Sequence, residues 1–454
     1  MAMRNLSADW RNHYKEHLVS IEEAANKIVP GDVVWLGQPA MVPYAMLDVM
    51  YAKMNDYHDV TFLWNVMNVP TDMLFDHDVK KHFRLISFFD LPLERISGDQ
   101  HVMEYHSCGY DQIEKSIFLY GCNSSATRVC PPDEDGWCNV GCYGVSTNAC
   151  TNPDPRIEKK IGFIDSTGQY PVPGPNEQNC IHITEFDYIV ESDSEMMEIP
   201  APEPSPIDKK IASYILPYIH NADKIQIGYG GLGEEILKNL ADAEGSFEVF
   251  SEVACDSMLP LLESGKITKI FASSPGACTE KFFKFISVNP NVTLIPKSIC
   301  IEPLAVMEQE NIVAINATFM VDLLGQACSE AQGLKPYTGA GGSFAYLYGA
   351  TRAKGGRSFL CLRSTYVDGC GETKSNIVPW LPEGSIVTTP KNYVMYVVSE
   401  WGLADIYLRT MRDRIKALIK IAHPDFRQWL MDKILTTPIV EGEDFEGYDM
   451  FDNL

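Results

Sequence analysis

The feature that most limits the possible folds is an order of elements that occurs twice. A short apolar strand at residues 32–37 ends in glycine, and a helix at 44–54 and a second strand at 60–64 follow it. Residues 224–250 repeat this order of strand, glycine turn, helix and strand. The order is typical of parallel sheets that are covered by helices. We therefore expect an α/β fold with two similar open α/β domains, mostly parallel sheets and an active site between them.

A proline-rich segment separates the two halves. Residues 200–206 read Pro-Ala-Pro-Glu-Pro-Ser-Pro, and alternating prolines disfavour both helices and sheet ladders. We predict an N-terminal domain at 1–199, a stiff linker at 200–206 and a C-terminal domain at 207–454. Further along, apolar residues at helical spacing predict a packing helix within 403–422 that ends at His423-Pro424.

The charge balance excludes some classes of partner. The chain carries 61 acidic and 37 basic side chains, a net charge of −24. Nucleic acids and anionic membranes attract clustered Lys and Arg, so we expect neither as a partner. No apolar run approaches the roughly 18 residues of a membrane span. The opening residues Met-Ala-Met-Arg-Asn run straight into polar sequence, without the pattern of a signal peptide, and we expect a cytoplasmic protein.

The thirteen cysteines fit a reducing compartment better than a disulfide framework. Four of them lie close together in the sequence, and their spacing is not the CxxC pairing of common zinc sites. They are either ordinary thiols or metal ligands, and we predict no metal site. The four are Cys130, Cys138, Cys142 and Cys150.

The first glycine-rich motif lies between a strand and a helix. Residues 228–233 read Gly-Tyr-Gly-Gly-Leu-Gly, and an acid, Glu252, follows about 20 residues later. This spacing is found in dinucleotide-binding turns, whose glycines let backbone N–H groups approach a pyrophosphate. The same pattern also suits another anion, an oxyanion, or a tight turn without a ligand. Glu252 itself is a candidate for binding ribose, for a base, for a nucleophile, or for an ordinary surface acid.

A second glycine cluster, Thr-Gly-Ala-Gly-Gly at 338–342, favours a polyanion. It belongs to the stretch 331–367, which has no Asp or Glu although the whole chain is acidic. Coenzyme A, with its 3′-phosphate and pyrophosphate, suits two glycine loops with basic neighbours. A solvated basic face is the alternative. The basic residues of this stretch are Lys335, Arg352, Lys354, Arg357 and Arg363.

Motifs along nearly the whole chain resemble the acetyl-CoA hydrolase/transferase family, the class I CoA transferases that include 4-hydroxybutyrate and butyrate CoA-transferases. They are residues 129–137 (VCPPDEDGW), 181–191 (IHITEFDYIVE), 262–268 (LESGKIT), 313–317 (VAINA), 321–323 (VDL), 377–379 (IVP) and 417–427 (ALIKIAHPDFR).

The resemblance implies that Glu252 is a nucleophile that carries CoA as a glutamyl thioester between an acyl-CoA and an acceptor carboxylate. It implies that the backbone N–H groups of Tyr229 and Gly342 stabilise the oxyanions. Asn65, after the equivalent strand of the first half, occupies roughly the place of Glu252. The implied CoA-binding residues are Gly228, Gly230, Phe319, Thr338, Gly341, Gly342 and Lys354.

Departures from the family pattern leave the acid substrates open. Residues 343–346 (SFAY) replace the usual Gln-x-Asp-Phe, Ile301-Glu302-Pro303 replaces a common Asn-x-Pro without its Asn, and Asn376 stands where an Arg is common. From the resemblance we expect CoA as a co-substrate, no tightly bound cofactor, and a homo-oligomer, either dimer or tetramer. The alternatives are an acyl-CoA hydrolase that uses the same glutamate, a NAD-binding oxidoreductase, and a non-catalytic CoA- or nucleotide-binding protein.

Overall fold

The computed structural model describes residues 9–147, 154–174, 176–276 and 278–451. The chain forms two compact units. The first comprises Met1–Pro200, Ala254–Asp256 and Phe271–Cys300, and the second comprises Ala201–Val253, Ser257–Ile270 and Ile301–Leu454. Residues 254–256 and 271–300, which the sequence assigned to the C-terminal domain, therefore group with the first unit.

The first unit contains a parallel sheet of seven strands in the order β4-β3-β2-β1-β5-β7-β9. Its core packs Phe62, Trp64 and Phe163 of the sheet against Met46 and Leu47 of a covering helix. The strands are β1 (Val33–Gly37), β2 (Val60–Trp64), β3 (Phe83–Ser87), β4 (Glu104–Tyr105), β5 (Ser124–Val129), β6 (Trp137–Asn139), β7 (Lys159–Ile164), β8 (Cys180–His182), β9 (Tyr188–Glu191) and, later in the chain, β13 (Val292–Leu294).

Helices connect these parallel strands, as the sequence predicts. Between β1 and β2 the chain forms α3, which begins directly after Pro43. The helices are α1 (Trp10–His17), α2 (Ile21–Ala25), α3 (Tyr44–Ala52), α4 (Pro92–Asp99), α5 (Ile113–Leu119), α6 (Gly141–Gly144), α7 (Asn176–Asn179), α11 (Glu280–Ile286) and α12 (Lys297–Cys300).

The second unit contains the strand order β12-β11-β10-β14-β19-β23-β24. The pairs from β10 to β23 for which a register is defined are parallel, and β24 runs antiparallel at the edge. β11 and β12 each continue into the first unit. The strands are β10 (Lys224–Ile227), β11 (Phe247–Ala254), β12 (Ile267–Pro275), β14 (Ile312–Ala317), β15 (Met320–Asp322), β16 (Ala327–Cys328), β17 (Ala331–Gln332), β18 (Lys335–Pro336), β19 (Arg357–Cys361), β20 (Thr365–Val367), β21 (Thr373–Ser375), β22 (Ile377–Val378), β23 (Tyr396–Ser399) and β24 (Gly402–Asp405).

The first helix of the second unit has a clear start signal. Ser205 caps it and forms a reciprocal capping box with Asp208, and Pro206 is its first residue, where a missing N–H has no cost. The helices are α8 (Pro206–Ile215), α9 (Gly231–Leu240), α10 (Leu259–Glu263), α13 (Pro303–Met307), α14 (Ser343–Arg352), α15 (Met411–Lys420) and α16 (Pro424–Ile434).

Short 3₁₀ turns complete both units. They are Pro39–Met41, Met54–Asp56, Asp72–Leu74, His77–Lys81, Tyr110–Gln112, Ile183–Glu185, Leu216–Tyr218, Asp256–Met258, Lys391–Tyr393 and Gly442–Phe445.

The prediction of an α/β fold with mostly parallel sheets is confirmed. The predicted C-terminal helix is wrong at both ends. Residues 403–405 belong to strand β24, and the helix begins only at Met411, where Thr410 caps it. His423 and Pro424 do not end this helix. They begin the next one, with proline again at the first position.

Candidate active site

Glu252 lies near the carboxyl end of β11, beside the first glycine turn. β11 pairs with β10 so that Glu248 lies opposite Lys224 and Val249 opposite Ile225. Two residues after Val249, the hydroxyl of Ser251 donates to the carbonyl of Ile227 at 3.0 Å. Continuing this register by one residue places Glu252 beside Gly228. Ligands of open α/β sheets bind at the carboxyl ends of the strands, where this side chain lies.

The carboxylate of Glu252 faces Gly342, which is 90 residues later in the sequence. A Cβ atom built on Gly342 would lie 2.7 Å from Oε2 of Glu252 and 3.0 Å from Cγ2 of Ile301. Any larger residue would displace the carboxylate, since real Cβ contacts are longer. The structure therefore brings together two of the three residues for which the sequence predicts a catalytic role.

Gly342 is also the N-cap residue of α14, and Gly341 before it has a φ of +63°. The first turn of a helix exposes backbone N–H groups and carries the positive end of the helix dipole. Among the described residues, no acceptor is recorded for the N–H of Gly342. Such an N–H is suited to stabilise negative charge that develops beside Glu252.

The first glycine turn has a similar design at the head of α9. Gly230 adopts φ +143° and ψ 172°, a region open only to glycine, and caps the helix. Within the described part of the chain, the N–H of Tyr229 has no recorded acceptor either. The Tyr229 side chain is largely exposed, and the partial burial of its hydroxyl together with the charge of Glu234 raises its pKa.

Acidic groups surround the same turn, and they disfavour a pyrophosphate. Glu234 lies in the first turn of α9 and accepts a hydrogen bond from Ser257. A Cβ on Gly231 would lie 2.8 Å from Oδ2 of Asp208. A dinucleotide phosphate at this helix end would meet two carboxylates, so the dinucleotide interpretation of the motif loses its physical basis.

Thr338 and Phe319, two of the predicted CoA-binding residues, belong to neighbouring segments. The N–H groups of Tyr337 and Thr338 both donate to the carbonyl of Glu330, at 2.8 and 3.1 Å. The ring of Phe319 meets the ring of Tyr337 edge to face at 4.8 Å. The Thr338 hydroxyl is buried without a hydrogen-bond partner, and a ligand atom would satisfy it.

Lys354 lies at the opposite end of α14 from Gly342. Its carbonyl accepts from the N–H of Asn311, which directly precedes β14, so it lies at the amino ends of the strands. Twelve residues separate Lys354 from Gly342, about 18 Å at helical rise. Its ammonium group is exposed and pairs with Glu310 at 3.2 Å. Lys354 is therefore placed to contact only a part of a ligand remote from Glu252.

The basic stretch 331–367 is largely neutralised in the folded chain. Arg357 is mostly buried and pairs with Asp223 at 2.5 Å, while Arg363 lies 3.7 Å from Asp208. Together with the pair formed by Lys354, three of its five cations have carboxylate partners. In the folded chain these three cations are therefore paired, because acids from distant sequence positions lie beside them.

The cysteine cluster lies in the first unit. Cys130, Cys138 and Cys142 are buried, and burial raises the pKa of each thiol, to about 12 for Cys130. Cys150 lies outside the described residues. Among the described residues, no group of three or more His, Cys, Asp or Glu side chains is arranged to hold a metal ion.

Sequence reasoning noted Ile301 only as part of a departure from the family's Asn-x-Pro. Its side chain is fully buried, and a Cβ built on Gly342 would lie 3.0 Å from its Cγ2. The spacing along the sequence does not predict that Ile301 lies beside Gly342. A surface cleft of about 380 Å³ in the first unit is lined by Glu114, Phe118 and Arg156, among others, and contains none of the predicted site residues. In the described residues, no helix is long and apolar enough to cross a membrane.

Comparisons with known proteins point in one direction. Residues 278–434 match the family model described as the acetyl-CoA hydrolase/transferase C-terminal domain. A 4-hydroxybutyrate coenzyme A transferase of Clostridium kluyveri is 29% identical over 438 residues, 94% of this chain and 99% of the relative. A succinyl-CoA:cyclohexane-1-carboxylate CoA transferase of Geobacter metallireducens is 28% identical over 436 residues, 94% of this chain and 97% of the relative.

Among solved structures, RipA from Yersinia pestis has the same fold. It superposes with a TM-score of 0.85 at 24% identity, over 95% of this chain and 100% of RipA.

Proposed function

We propose that this chain, whose residues 278–434 match the model of the acetyl-CoA hydrolase/transferase C-terminal domain, is a CoA transferase that moves CoA from an acyl-CoA to an acceptor carboxylate. The observation that carries the proposal is the carboxylate of Glu252 against Gly342, at the head of α14. A nucleophile and an oxyanion donor are thereby next to each other, which acyl transfer requires.

The reaction proceeds in two balanced halves. The Glu252 carboxylate attacks the thioester carbonyl of the acyl-CoA, forming an acyl-glutamyl anhydride and releasing CoA thiolate. The thiolate then attacks the glutamyl carbonyl, forming a glutamyl-CoA thioester and releasing the first acid as its carboxylate. The acceptor carboxylate reverses both steps and leaves as the new acyl-CoA, with Glu252 restored as a carboxylate.

Each attack creates a tetrahedral oxyanion, and the chain offers two donors for it. The N–H of Gly342 stands at the positive end of α14, and the N–H of Tyr229 stands at the turn beside Gly228. Donors that are held in place before the reaction stabilise the transition state without a cost of reorganisation. The need for two N–H donors explains why two glycine turns lie near the carboxylate of Glu252.

CoA is a long co-substrate, and the remaining predicted residues fit different parts of it. Gly228, Gly230 and Gly341 allow close approach near the thiol end. The Thr338 hydroxyl and the Phe319 ring contact the middle part of CoA. Lys354 gives up its ion pair with Glu310 and binds a phosphate of CoA that is remote from Glu252.

A hydrolase is the second candidate, because the family description covers both activities. Water would then resolve the glutamyl-CoA thioester in place of the acceptor acid. One nucleophile serves both reactions, and only the access of water differs.

The deciding experiment traps the thioester. The protein is incubated with acyl-CoA in the absence of acceptor and then treated with borohydride or hydroxylamine. We expect inactivation only after acyl-CoA has been added, and a mass change on the peptide that contains Ser251, Glu252 and Val253. Glu248→Ala is the matched control, since Glu248 lies on the same strand and pairs only weakly with Lys224, at 4.0 Å.

The lifetime of the adduct separates the two activities. A transferase retains the thioester over many turnover times, whereas a hydrolase loses it quickly and releases free CoA continuously. The absence of both an adduct and CoA release would refute the proposal and favour a CoA-binding role without catalysis.

Three further properties complete the proposal. We expect a homo-oligomer, either dimer or tetramer, a cytoplasmic location, and no tightly bound cofactor. Light scattering, cell fractionation and mass spectrometry of the purified protein measure them directly.

A further inference from the structure

The hydroxyl of Ser251, the residue before Glu252, links two strands of the second unit. It donates to the carbonyl of Ile227 at 3.0 Å, and it accepts from the N–H of the same residue at 3.4 Å. A hydroxyl can donate and accept at once, so both bonds form together. Ser251 is fully buried, and water therefore does not compete for these bonds.

The two bonds lie just beyond the place where the defined pairing of the strands ends. The register of β10 with β11 stops at Ile225 opposite Val249. In a parallel ladder, the N–H and the C=O of one residue pair with the backbone of the neighbouring strand. At Ile227 both groups bond to the Ser251 hydroxyl. The hydroxyl therefore helps to fix the spacing between the carboxyl ends of β10 and β11.

The groups proposed to react follow directly from these two residues. Glu252 is the next residue after Ser251, and Gly228 and Tyr229 are the next two after Ile227. One hydroxyl thus connects the strand that carries the nucleophile to the turn that carries an oxyanion donor. A shift of either strand end would change the distance from the carboxylate of Glu252 to the N–H of Tyr229.

The end of β10 is also held from its other side. The side chains of Gln226 and Asn316 are buried and exchange two hydrogen bonds, at 2.7 and 3.4 Å. The N–H of Gly228 donates to the carbonyl of Ile315 at 3.1 Å. β14 therefore keeps the end of β10 in place, and the hydroxyl bonds tie the strand of the nucleophile to a fixed support.

The first unit provides an internal comparison. There Trp64 precedes Asn65, at the end of the strand that corresponds to β11. The N–H of Asn65 donates directly to the carbonyl of Gly37 at 3.0 Å. The indole N–H of Trp64 donates to Glu94 at 3.4 Å. The half without the glutamate thus has an indole where the other half has the hydroxyl, which associates the hydroxyl with the reaction.

We propose that Ser251 is a positioning residue for the transfer reaction. Its hydroxyl holds Glu252 at the distance from Tyr229 at which the carboxylate attacks the thioester while the N–H receives the oxyanion. Ser251 acts through Glu252 and contacts no substrate. This inference rests on the proposed function and adds to it a residue that sets the rate of the chemical step.

The test is a single-turnover measurement with Ser251→Ala. The protein is mixed with excess acetyl-CoA without acceptor, and the glutamyl-CoA adduct is followed by mass spectrometry. The rate constant reports the position of Glu252, and the final amount of adduct reports the fraction of active protein. We expect the rate constant to fall by about tenfold or more, because misplacing a reacting group slows the chemical step. The amount of adduct and the acetyl-CoA concentration that gives the half-maximal rate stay unchanged.

Ser358→Ala is the matched control. Ser358 is also fully buried and lies on β19 of the same sheet. Its hydroxyl, however, has no hydrogen-bond partner among the described residues. Both variants remove one buried oxygen atom, and only Ser251→Ala breaks a link between strands. Ser358→Ala should therefore form the adduct at the wild-type rate.

Ser251→Cys gives a graded result, since S–H is a weaker donor than O–H. We expect its rate constant to lie between those of wild type and Ser251→Ala. A purely structural role of Ser251 predicts instead less adduct at an unchanged rate constant, together with a lower melting temperature. That result, a Ser251→Cys protein no faster than Ser251→Ala, or failure of both variants to fold overturns the positioning role.

The wild-type protein separates this inference from the proposed function. An adduct that forms in wild type, and at the same rate in Ser251→Ala, overturns the positioning role alone. If wild type forms no adduct and releases no CoA, the proposed function itself fails, whatever the two variants show.

Discussion

Replacing Gly342 with alanine tests the geometry of the candidate site directly. The backbone angles at Gly342, φ −95° and ψ −5°, are open to any residue, so the change does not strain the chain. The added methyl group, however, would lie 2.7 Å from Oε2 of Glu252. The variant therefore folds, and its effect falls on the position of the carboxylate.

The size of the effect follows from the distances. An ordinary contact begins at 3.4 Å, so the carboxylate moves by about 0.7 Å, and Ile301, at 3.0 Å from the methyl group, limits movement on its side. Misplacing a reacting group by about 1 Å costs roughly 10²-fold in rate. We expect kcat to fall by about 10²-fold. The overpacking costs roughly 1 to 3 kcal/mol of stability.

The assay is the appearance of a new acyl-CoA by mass spectrometry, with acetyl-CoA as donor, together with a thermal melt of each protein. Gly369→Ala is the matched control, because a Cβ there meets no atom within 4 Å. Its kcat should equal that of wild type. A Gly342→Ala protein with a kcat within threefold of wild type would refute the argument that Glu252 works from its position against Gly342.

Three other predictions concern single side chains. Glu252→Ala abolishes transfer and leaves folding intact, and retention of more than about 1% of the activity contradicts covalent catalysis. Lys354→Ala raises the KM for acyl-CoA with a smaller change in kcat, and an unchanged KM removes it from the CoA site. Burial and the nearby charge of Glu94 raise the pKa of Asp90 to about 7, so wild type loses stability as the pH rises from about 4 to 7, by on the order of 4 kcal/mol. Asp90→Asn removes this loss, and melting temperatures of the two proteins that run parallel from pH 5 to pH 8 would disprove it.

Much of the fold is predictable because the order of strand, turn and helix is encoded in neighbouring residues. A strand that ends in glycine and leads into an apolar-faced helix needs no distant partner to be recognised, as in Lys224–Ile227 followed by Gly231–Leu240. The error at 403–422 has the same origin. Apolar residues of a short edge strand match a helical period by chance, and a proline was taken as a stop signal although it is equally suited to the first position of a helix.

The candidate site is less predictable because its parts meet only in three dimensions. Nothing in the sequence joins Glu252 to Gly342, and the resemblance to a family supplied what the spacing does not. The basic stretch 331–367 misleads for the same reason. Counting acids along the sequence cannot reveal that Asp223 and Asp208 neutralise Arg357 and Arg363.

Because the chain passes repeatedly from one unit to the other, cutting it at the proline-rich segment does not yield two complete units. Beyond the proline-rich segment, the chain passes between the units after residues 253, 256, 270 and 300. Phe282 and Phe283, which are fully buried in the first unit, come from the second half of the sequence, and Tyr143 packs on Phe283 at 6.0 Å between ring centres. A fragment that stops at residue 199 would leave Tyr143 without this cover. Proteolysis at 200–206 would cleave the chain, but residues 271–300 would stay packed in the first unit. Neither half of the sequence can therefore be replaced as an independent domain.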